Sequence, residues 1–443
     1  MITTEQLYQL YLQHPIISTD TRKIAPGSLF FALKGDKFDA NTFAQKAIEA
    51  GAAYAVIDNP DYQLGDQYLL VDDVLSTLQD LARYHRRQLN IPVIGLTGTN
   101  GKTTTKELIN AVLSQHFKTQ ATQGNLNNHI GVPLTILTID NTHKAAVIEM
   151  GANHQKEIEL LCSISQPSHG MITNVGKAHL EGFGGVEGVK KGKGELYDYL
   201  QNAEDQPVAF VNGDDTTLLE MANARKLPKV VYYGSDINRT LISGQIIENA
   251  PLLTVQWSNN KTGDKHTTKT QLTGAYNLNN ILAAISIGTY LGVTAAEINA
   301  GIEGYQPKNN RSQIVKTETN TLICDYYNAN PSSMAVAIEN IGKIDAKRKV
   351  LILGDMFEMG EESAAEHASV IQKALNTPVD ERIFIGKDFE SQQPKSGESK
   401  QTATFYATAE DAIAGLKASP IKNSTILIKG SRGMALERLV ELF

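Results

Sequence analysis

The chain has little cysteine, no long apolar run and no surplus of positive charge, and each shortage excludes a class of protein. Only Cys162 and Cys324 are available for a disulfide in 443 residues, and the start Met1-Ile2-Thr3-Thr4-Glu5-Gln6 lacks the basic and apolar regions of a secretory leader. A reducing cytoplasm is the expected setting. No apolar run approaches the ~18 residues that a membrane-crossing helix needs, so no membrane insertion is expected. A net charge of −7 and a pI near 5.9 argue against nucleic acid as a partner, while leaving room for a local basic pocket that holds phosphates. Heptad arrays, low-complexity tracts and solenoid-length repeats are also missing.

What is present reads as a globular α/β protein: 41% of residues are hydrophobic and 20% charged. This length exceeds one core of usual size and predicts two to four domains, with three as the working number. The organising stretch is the apolar run Val93-Ile94-Gly95-Leu96-Thr97 followed by Gly98-Thr99-Asn100-Gly101-Lys102-Thr103-Thr104, with a helix expected to begin near Lys106. Glycines at 98 and 101 let the backbone curl so that several N–H groups point at one anion, with a helix N-terminus behind them. Lys102 adds a point charge, and Thr103 offers a hydroxyl to a nucleotide-bound Mg²⁺. Leu96 stands where the usual Walker spacing has glycine, which makes this loop a shortened relative.

Residues 1–90 alternate short strands and helices, with a strand expected over 28–33 and an amphipathic helix over 41–50. A helix over 74–88 carries Leu75, Leu78, Leu81 and Ala82 on one side, and Asn90-Ile91-Pro92 then breaks it. The first boundary is placed there. From 91 to 306, apolar strands over 145–149, 170–173 and 208–211 alternate with helices, which predicts a doubly wound parallel sheet. Residues 229–271 change to short β-like runs and predict an antiparallel group in or beside that sheet. After Pro307-Lys308-Asn309-Asn310, strands over 321–324, 349–353, 382–385 and 425–429 predict a second parallel sheet over 307–443.

Ligands of open parallel sheets collect at the carboxyl ends of strands. Glu149, ending one strand, therefore faces the phosphate loop as a Mg²⁺ ligand, or else caps the following helix. His179, after the strand at 170–173, suits a second divalent ion shared with a carboxylate. The run Lys190-Lys191-Gly192-Lys193-Gly194-Glu195 is expected around the same crevice, or is a solvated face.

Read together, these stretches resemble the Mur ligases. The resemblance rests on Thr19-Asp20-Thr21-Arg22, Phe30-Phe31-Ala32-Leu33-Lys34-Gly35, Gly98-Thr99-Asn100-Gly101-Lys102-Thr103, Gly124-Asn125-Leu126-Asn127-Asn128 and Glu149-Met150-Gly151-Ala152-Asn153. It continues through Ala178-His179-Leu180-Glu181-Gly182, Asp325-Tyr326-Tyr327-Asn328-Ala329-Asn330, Gly354-Asp355-Met356 and Lys429-Gly430-Ser431-Arg432.

The resemblance implies a UDP-substrate domain, a central P-loop-type ATP domain and a Rossmann-like C-terminal domain. It implies an ATP-dependent, ADP-forming ligase that joins D-Ala-D-Ala to UDP-N-acetylmuramoyl-tripeptide through an acyl phosphate in peptidoglycan precursor synthesis, with a monomer expected. It further implies two Mg²⁺ sites, one at Thr103 and Glu149, the other at Glu149, His179 and a carbamylated Lys193. Lys102, Glu149, His179 and Lys193 are then the catalytic set. ATP would meet the loop from Gly98 to Thr104 together with Asn277, Asn280, Arg311 and Asp325. Thr21, Arg22, Lys34, Asn127 and Asn128 fall to the UDP substrate, and Asn328, Asp355, Glu358 and Arg432 to the dipeptide.

The chain departs from the family at Tyr276, where His is common, at Asn309-Asn310, where Pro-Gly often precedes the Arg, and at Cys324 and Tyr326. Rivals are the ligase adding the third stem residue, the folate polyglutamate ligase, and a P-loop kinase or ATP-binding regulator.

Overall fold

Four interior strands of the central section, Val93–Thr97, Ala145–Glu149, His169–Ile172 and Val208–Asn212, are buried along almost their whole length. This is the pattern of a sheet covered on both faces. The structure, a computed structural model, describes residues 2–443 apart from 36, 250–251, 309 and 395–402. Asn309 of the second boundary therefore lies outside the described residues.

The central sheet has nine strands, with Val93–Thr97 hydrogen-bonded between Ala145–Glu149 and His169–Ile172. Its register sets Leu96 beside Glu149 and Thr97 beside Ile172, so the phosphate loop, Glu149 and Thr173 emerge at one edge. The polar stretch after Lys229 extends the same sheet: Lys229–Gly234 and Ile242–Glu248 run parallel, then Thr254–Asn259 and Asp264–Lys269 antiparallel.

The N-terminal section holds a four-stranded parallel sheet of Ile17–Ser18, Leu29–Phe31, Tyr54–Ile57 and Tyr68–Leu70. The helix expected over 41–50 opens as a 3₁₀ turn, Ala40–Phe43, before Ala44–Glu49. Asp39 explains this, because its carboxylate accepts from both the Asn41 backbone and side-chain N–H groups.

The helix Val74–Gln88 begins at the Asp73 cap, where the carboxylate accepts from Ser76 N at 2.7 Å. Its buried stripe is Val74, Leu78, Leu81 and Ala82; Leu75 sits half-buried beside it. This helix is shared with the central section. Gln79 Nε2 donates to His129 O at 3.0 Å, and Arg86 donates to the carbonyls of Ser165 and Gln166, each at 3.0 Å.

The C-terminal sheet has six strands, parallel except for the edge strand Gln313–Lys316, with Thr425–Lys429 between Thr321–Asp325 and Lys349–Gly354. Apolar runs reveal its four interior strands; Gln313–Lys316 and Thr404–Tyr406 are half-buried edges without such a run. Among the described residues, no helix is long and apolar enough to cross a membrane.

Candidate active site

The helix after the phosphate loop starts at Lys102, four residues before the expected Lys106. Gly101, at φ 77°, turns the chain, and its carbonyl accepts from Thr105 N at 2.8 Å. Both loop glycines are obligatory. A Cβ at Gly98, where φ is 145°, would lie 2.0 Å from Thr173 Oγ1, and one at Gly101 would lie 2.8 Å from Asn280 Oδ1.

The loop is braced by the connection after the neighbouring strand. Thr99 N donates to Asn174 O and Asn100 N to Asn174 Oδ1, each at 3.0 Å, while Thr173 Oγ1 donates to Asn100 O at 2.6 Å. Asn174 escaped the sequence reading; its only signal was its place just beyond a buried strand. Lys102 Nζ donates to Gly98 O at 2.8 Å and to Thr99 O at 3.0 Å. Burial pushes this amine down to about 8, partly offset by Glu149 and reinforced by Arg311.

Glu149 is 1% exposed. Its Oε1 accepts from Thr103 Oγ1 at 3.2 Å and Asn127 Nδ2 at 2.9 Å, whereas Oε2 is buried without a partner among the described residues. A buried carboxylate oxygen left open beside a threonine hydroxyl is the donor chemistry of a hard divalent cation. Glu149 caps no helix: the helix Glu157–Ser165 takes Glu195 instead, whose carboxylate accepts from Lys156 N and Glu159 N.

The basic run does not surround the crevice as expected. On the helix Val186–Asn202, Lys190 pairs outward with Glu220 at 3.3 Å, Lys191 is exposed, and Lys193 alone among the three points inward, 2% exposed. Lys193 Nζ donates to Ala152 O at 3.2 Å and lies 5.0 Å from the Phe183 ring centroid. Burial first, and the Lys102 charge second, hold its amine well below the ordinary lysine value.

His179, at φ 51°, reaches the cavity, but its Nδ1 is bonded to Glu358 of the C-terminal section, itself at φ 61°. Burial, with Lys102 and Lys193 nearby, keeps this imidazole below its usual value against the pull of Glu358. Among the described residues, no group of three His, Cys, Asp or Glu side chains forms a ready-made metal cage.

The cavity, about 850 Å³, lies between the central and C-terminal sections. It gathers Thr99 to Lys102, Thr104, Asn127, Asn128, Glu149 and His179 with Asn277, Asn280, Arg311, Asp325 and Asn328. Asn280 donates to Asn277 Oδ1 at 2.9 Å and accepts from Thr105 Oγ1 at 3.0 Å, so this pair also anchors its helix to the loop helix. Asp325 Oδ2 accepts from the buried Lys429 Nζ at 2.8 Å, and that amine also donates to Asn328 O at 3.1 Å. Lys429 is a second group that sequence reasoning missed; it was visible only as one letter of a motif.

Several expected residues do not line this cavity: Gly98, Thr103 and Lys193 in the central section, Asp355, Glu358 and Arg432 in the C-terminal one, and the three assigned to the UDP substrate in the N-terminal one. Arg22 is bound to Asp20 on the surface, and Lys34 pairs with Asp58 at 2.7 Å. Neither these nor Thr21 lines the central cavity. Asp355 is the clearest correction. Its oxygens accept from Phe389 N at 2.9 Å and Asp388 N at 3.1 Å, so it caps the short helix Lys387–Ser391 from inside the C-terminal core and is committed there. Arg432 is exposed, 5.1 Å from the Tyr327 ring centroid.

Comparison with known proteins covers nearly the whole chain. Three family models match: the Mur ligase family catalytic domain over residues 15–93, the Mur ligase middle domain over 96–288, and the Mur ligase glutamate ligase domain over 310–432. The UDP-N-acetylmuramoyl-tripeptide–D-alanyl-D-alanine ligase of Escherichia coli is 36% identical over 431 residues, covering 96% of this chain and 92% of the relative. The crystal structure of MurF from Acinetobacter baumannii matches with a TM-score of 0.87 at 30% identity, covering 99% of this chain and 98% of that one. MurF ligase from Thermotoga maritima, solved in complex with ADP, matches at 0.84 and 25% identity over 97% and 96% of the two chains. Matched by three Mur ligase family models between residues 15 and 432, and 36% identical to a relative over 96% of its own length, the chain belongs to the Mur ligase family.

Proposed function

We propose that this enzyme joins D-Ala-D-Ala to UDP-N-acetylmuramoyl-tripeptide at the expense of ATP, releasing ADP and phosphate. The observation that carries the reading is the unpartnered Glu149 Oε2 beside Thr103, at the mouth of a phosphate loop and inside a cleft that the C-terminal section completes. The match to ligases of that name over the length of the chain supports it.

In the reaction, the tripeptide's terminal carboxylate takes the γ-phosphoryl group of ATP. The dipeptide amine then attacks the acyl carbon, and phosphate leaves. Such chemistry asks for positioning and charge neutralisation rather than a protein nucleophile. Lys102 and the loop N–H groups hold the phosphates, Arg311 adds charge, Asp325 meets the ribose, and Asn277 and Asn280 flank the adenine. Thr103 and Glu149 would hold one Mg²⁺, and Glu149, His179 and carbamylated Lys193 a second. When bound, these ions neutralise charge on the phosphoryl oxygens. Glu358 occupies only Nδ1 of His179, so the other ring nitrogen would be the ligand, with the carboxylate orienting the imidazole.

The N-terminal section, residues 1–90, is read as the UDP domain, with Thr21, Arg22 and Lys34 nearest the diphosphate and Asn127 and Asn128 at the muramoyl part. Residues 91–306 bind ATP, and residues 307–443 receive the dipeptide through Asn328, Glu358 and Arg432. The setting is the cytoplasm, and the working form is a monomer.

The test is a coupled phosphate assay with both peptide substrates. Phosphate release that requires D-Ala-D-Ala supports the reading. ATP binding without dipeptide-dependent release points to the kinase or regulator alternative.

A further inference from the structure

Arg311 is held by an aromatic ring instead of a carboxylate. Its guanidinium carbon stands 3.8 Å from the centroid of the Tyr327 ring, and its Nε is buried with no hydrogen-bond partner among the described residues. The backbone on either side is forced into an unusual shape: Asn310 and Ser312 have φ of 59° and 50°, conformations that are costly for residues bearing a side chain. Ser312 is pinned there, its N–H donating to Asp325 Oδ1 at 3.2 Å and its hydroxyl bonded to that of Tyr276 at 2.6 Å. Asn310 is of a type that, among residues bearing a side chain, best tolerates this region. Strain held by a hydrogen-bond frame therefore delivers Arg311 to one spot, the Tyr327 ring, at the wall of the cavity.

The same ring serves a second cation. Arg432 lies 5.1 Å from its centroid. Two guanidinium groups brought this near repel, and the negative potential of a π face offsets part of that repulsion. A planar guanidinium resting on a ring also keeps its N–H fork oriented, so less freedom is lost when it meets a phosphate.

We infer that Tyr327 is a positioning residue, whose ring presets Arg311 toward the nucleotide phosphates and ties that arginine to Arg432 on the dipeptide side. This rests on the proposed assignment of Arg311 to the nucleotide.

The experiment measures affinity for a non-hydrolysable ATP analogue by calorimetry, with melting temperatures alongside, in the wild type, Tyr327→Phe, Tyr327→Leu, Arg311→Ala and the Arg311→Ala/Tyr327→Leu double variant. Tyr327→Phe, which keeps the ring, should bind within about two-fold of wild type, and Tyr327→Leu about 5- to 30-fold more weakly. In the Arg311→Ala background, Tyr327→Leu should add nothing. Should the leucine variant melt early, Tyr327→Met supplies the aliphatic comparison. A Tyr327→Leu effect of equal size with and without Arg311, or a Tyr327→Phe loss as large as that of Leu, overturns the inference. An Arg311→Ala variant that binds nucleotide like the wild type overturns the assignment of Arg311 itself.

Discussion

Asn330 donates its side-chain amide to Asn100 Oδ1 at 2.8 Å, joining the C-terminal section directly to the phosphate loop. The other end of the same side chain, Oδ1, accepts from Ser333 N at 2.9 Å and caps the helix Pro331–Lys343.

These two roles separate by substitution. Asn330→Asp keeps the cap and loses the donor, so it should raise the KM for ATP several-fold with little change in melting temperature. Asn330→Ala loses both and should also cost about 1 kcal/mol of stability. Unchanged ATP kinetics in the Asp variant would show that the contact to Asn100 does not shape the loop.

Lys102→Ala removes the loop's point charge and should lower turnover by ~10²-fold or more. The circular dichroism spectrum should be preserved, since the side chain's partners are the carbonyls of Gly98 and Thr99 in its own loop. Near-normal turnover at saturating ATP would remove this loop from the chemistry.

Given the proposed carbamate at Lys193, Lys193→Ala should be almost inactive, and acetate or formate should restore part of the turnover by taking the place of that ligand. The burial that disfavours an ammonium here also favours the neutral amine that CO₂ addition requires. Lys190→Ala, at a surface pair with Glu220, should be mild. Rescue by a small alkylamine alone would mean that the residue works as a cation.

His169 gives a pH dependence of stability. Burial, and then the Lys229 charge, lower its imidazole to about 4, against an ordinary value of 6.5. Between those values the unfolded chain binds a proton that the native one refuses, so this contribution is complete above pH 6.5 and is lost as pH falls toward 4. Replacing His169 with Phe, beside Phe210 and Tyr290, should flatten the fall in urea midpoint between pH 6.5 and 4. An unaltered acid slope would assign that loss to other groups.

The buried strands and the loop were legible because their signals are local: Val93–Thr97 is apolar throughout, and glycines 98 and 101 mark the turn. Glu149 was legible for the same reason, standing at the end of an apolar run. What sequence could not show depends on partners far along the chain. Nothing in the letters around Asp355 reveals that its oxygens are consumed by Asp388 and Phe389, or that Lys429 would pair with Asp325 across a sheet. Lys193 is singled out from Lys190 and Lys191 by the family resemblance alone; its inward turn follows from how the helix Val186–Asn202 packs on the helix Glu157–Ser165 and the strand His169–Ile172, a rotation the composition of the run does not encode.

The helix Val74–Gln88 lends its polar groups to the section that follows it: His85 Nε2 is bonded to Ile139 O at 2.7 Å, and the guanidinium of Arg86 is buried on Ser165 and Gln166. Tyr11, from the first helix, adds a bond to Leu137 O at 2.7 Å. Residues 1–90 and the central section should therefore unfold as one cooperative unit. A fragment ending at Asn90 would carry an exposed arginine, histidine and tyrosine built for a dry seam, and would be poorly stable. A nick in Asn90-Ile91-Pro92 would leave the two pieces associated, melting together in a single transition.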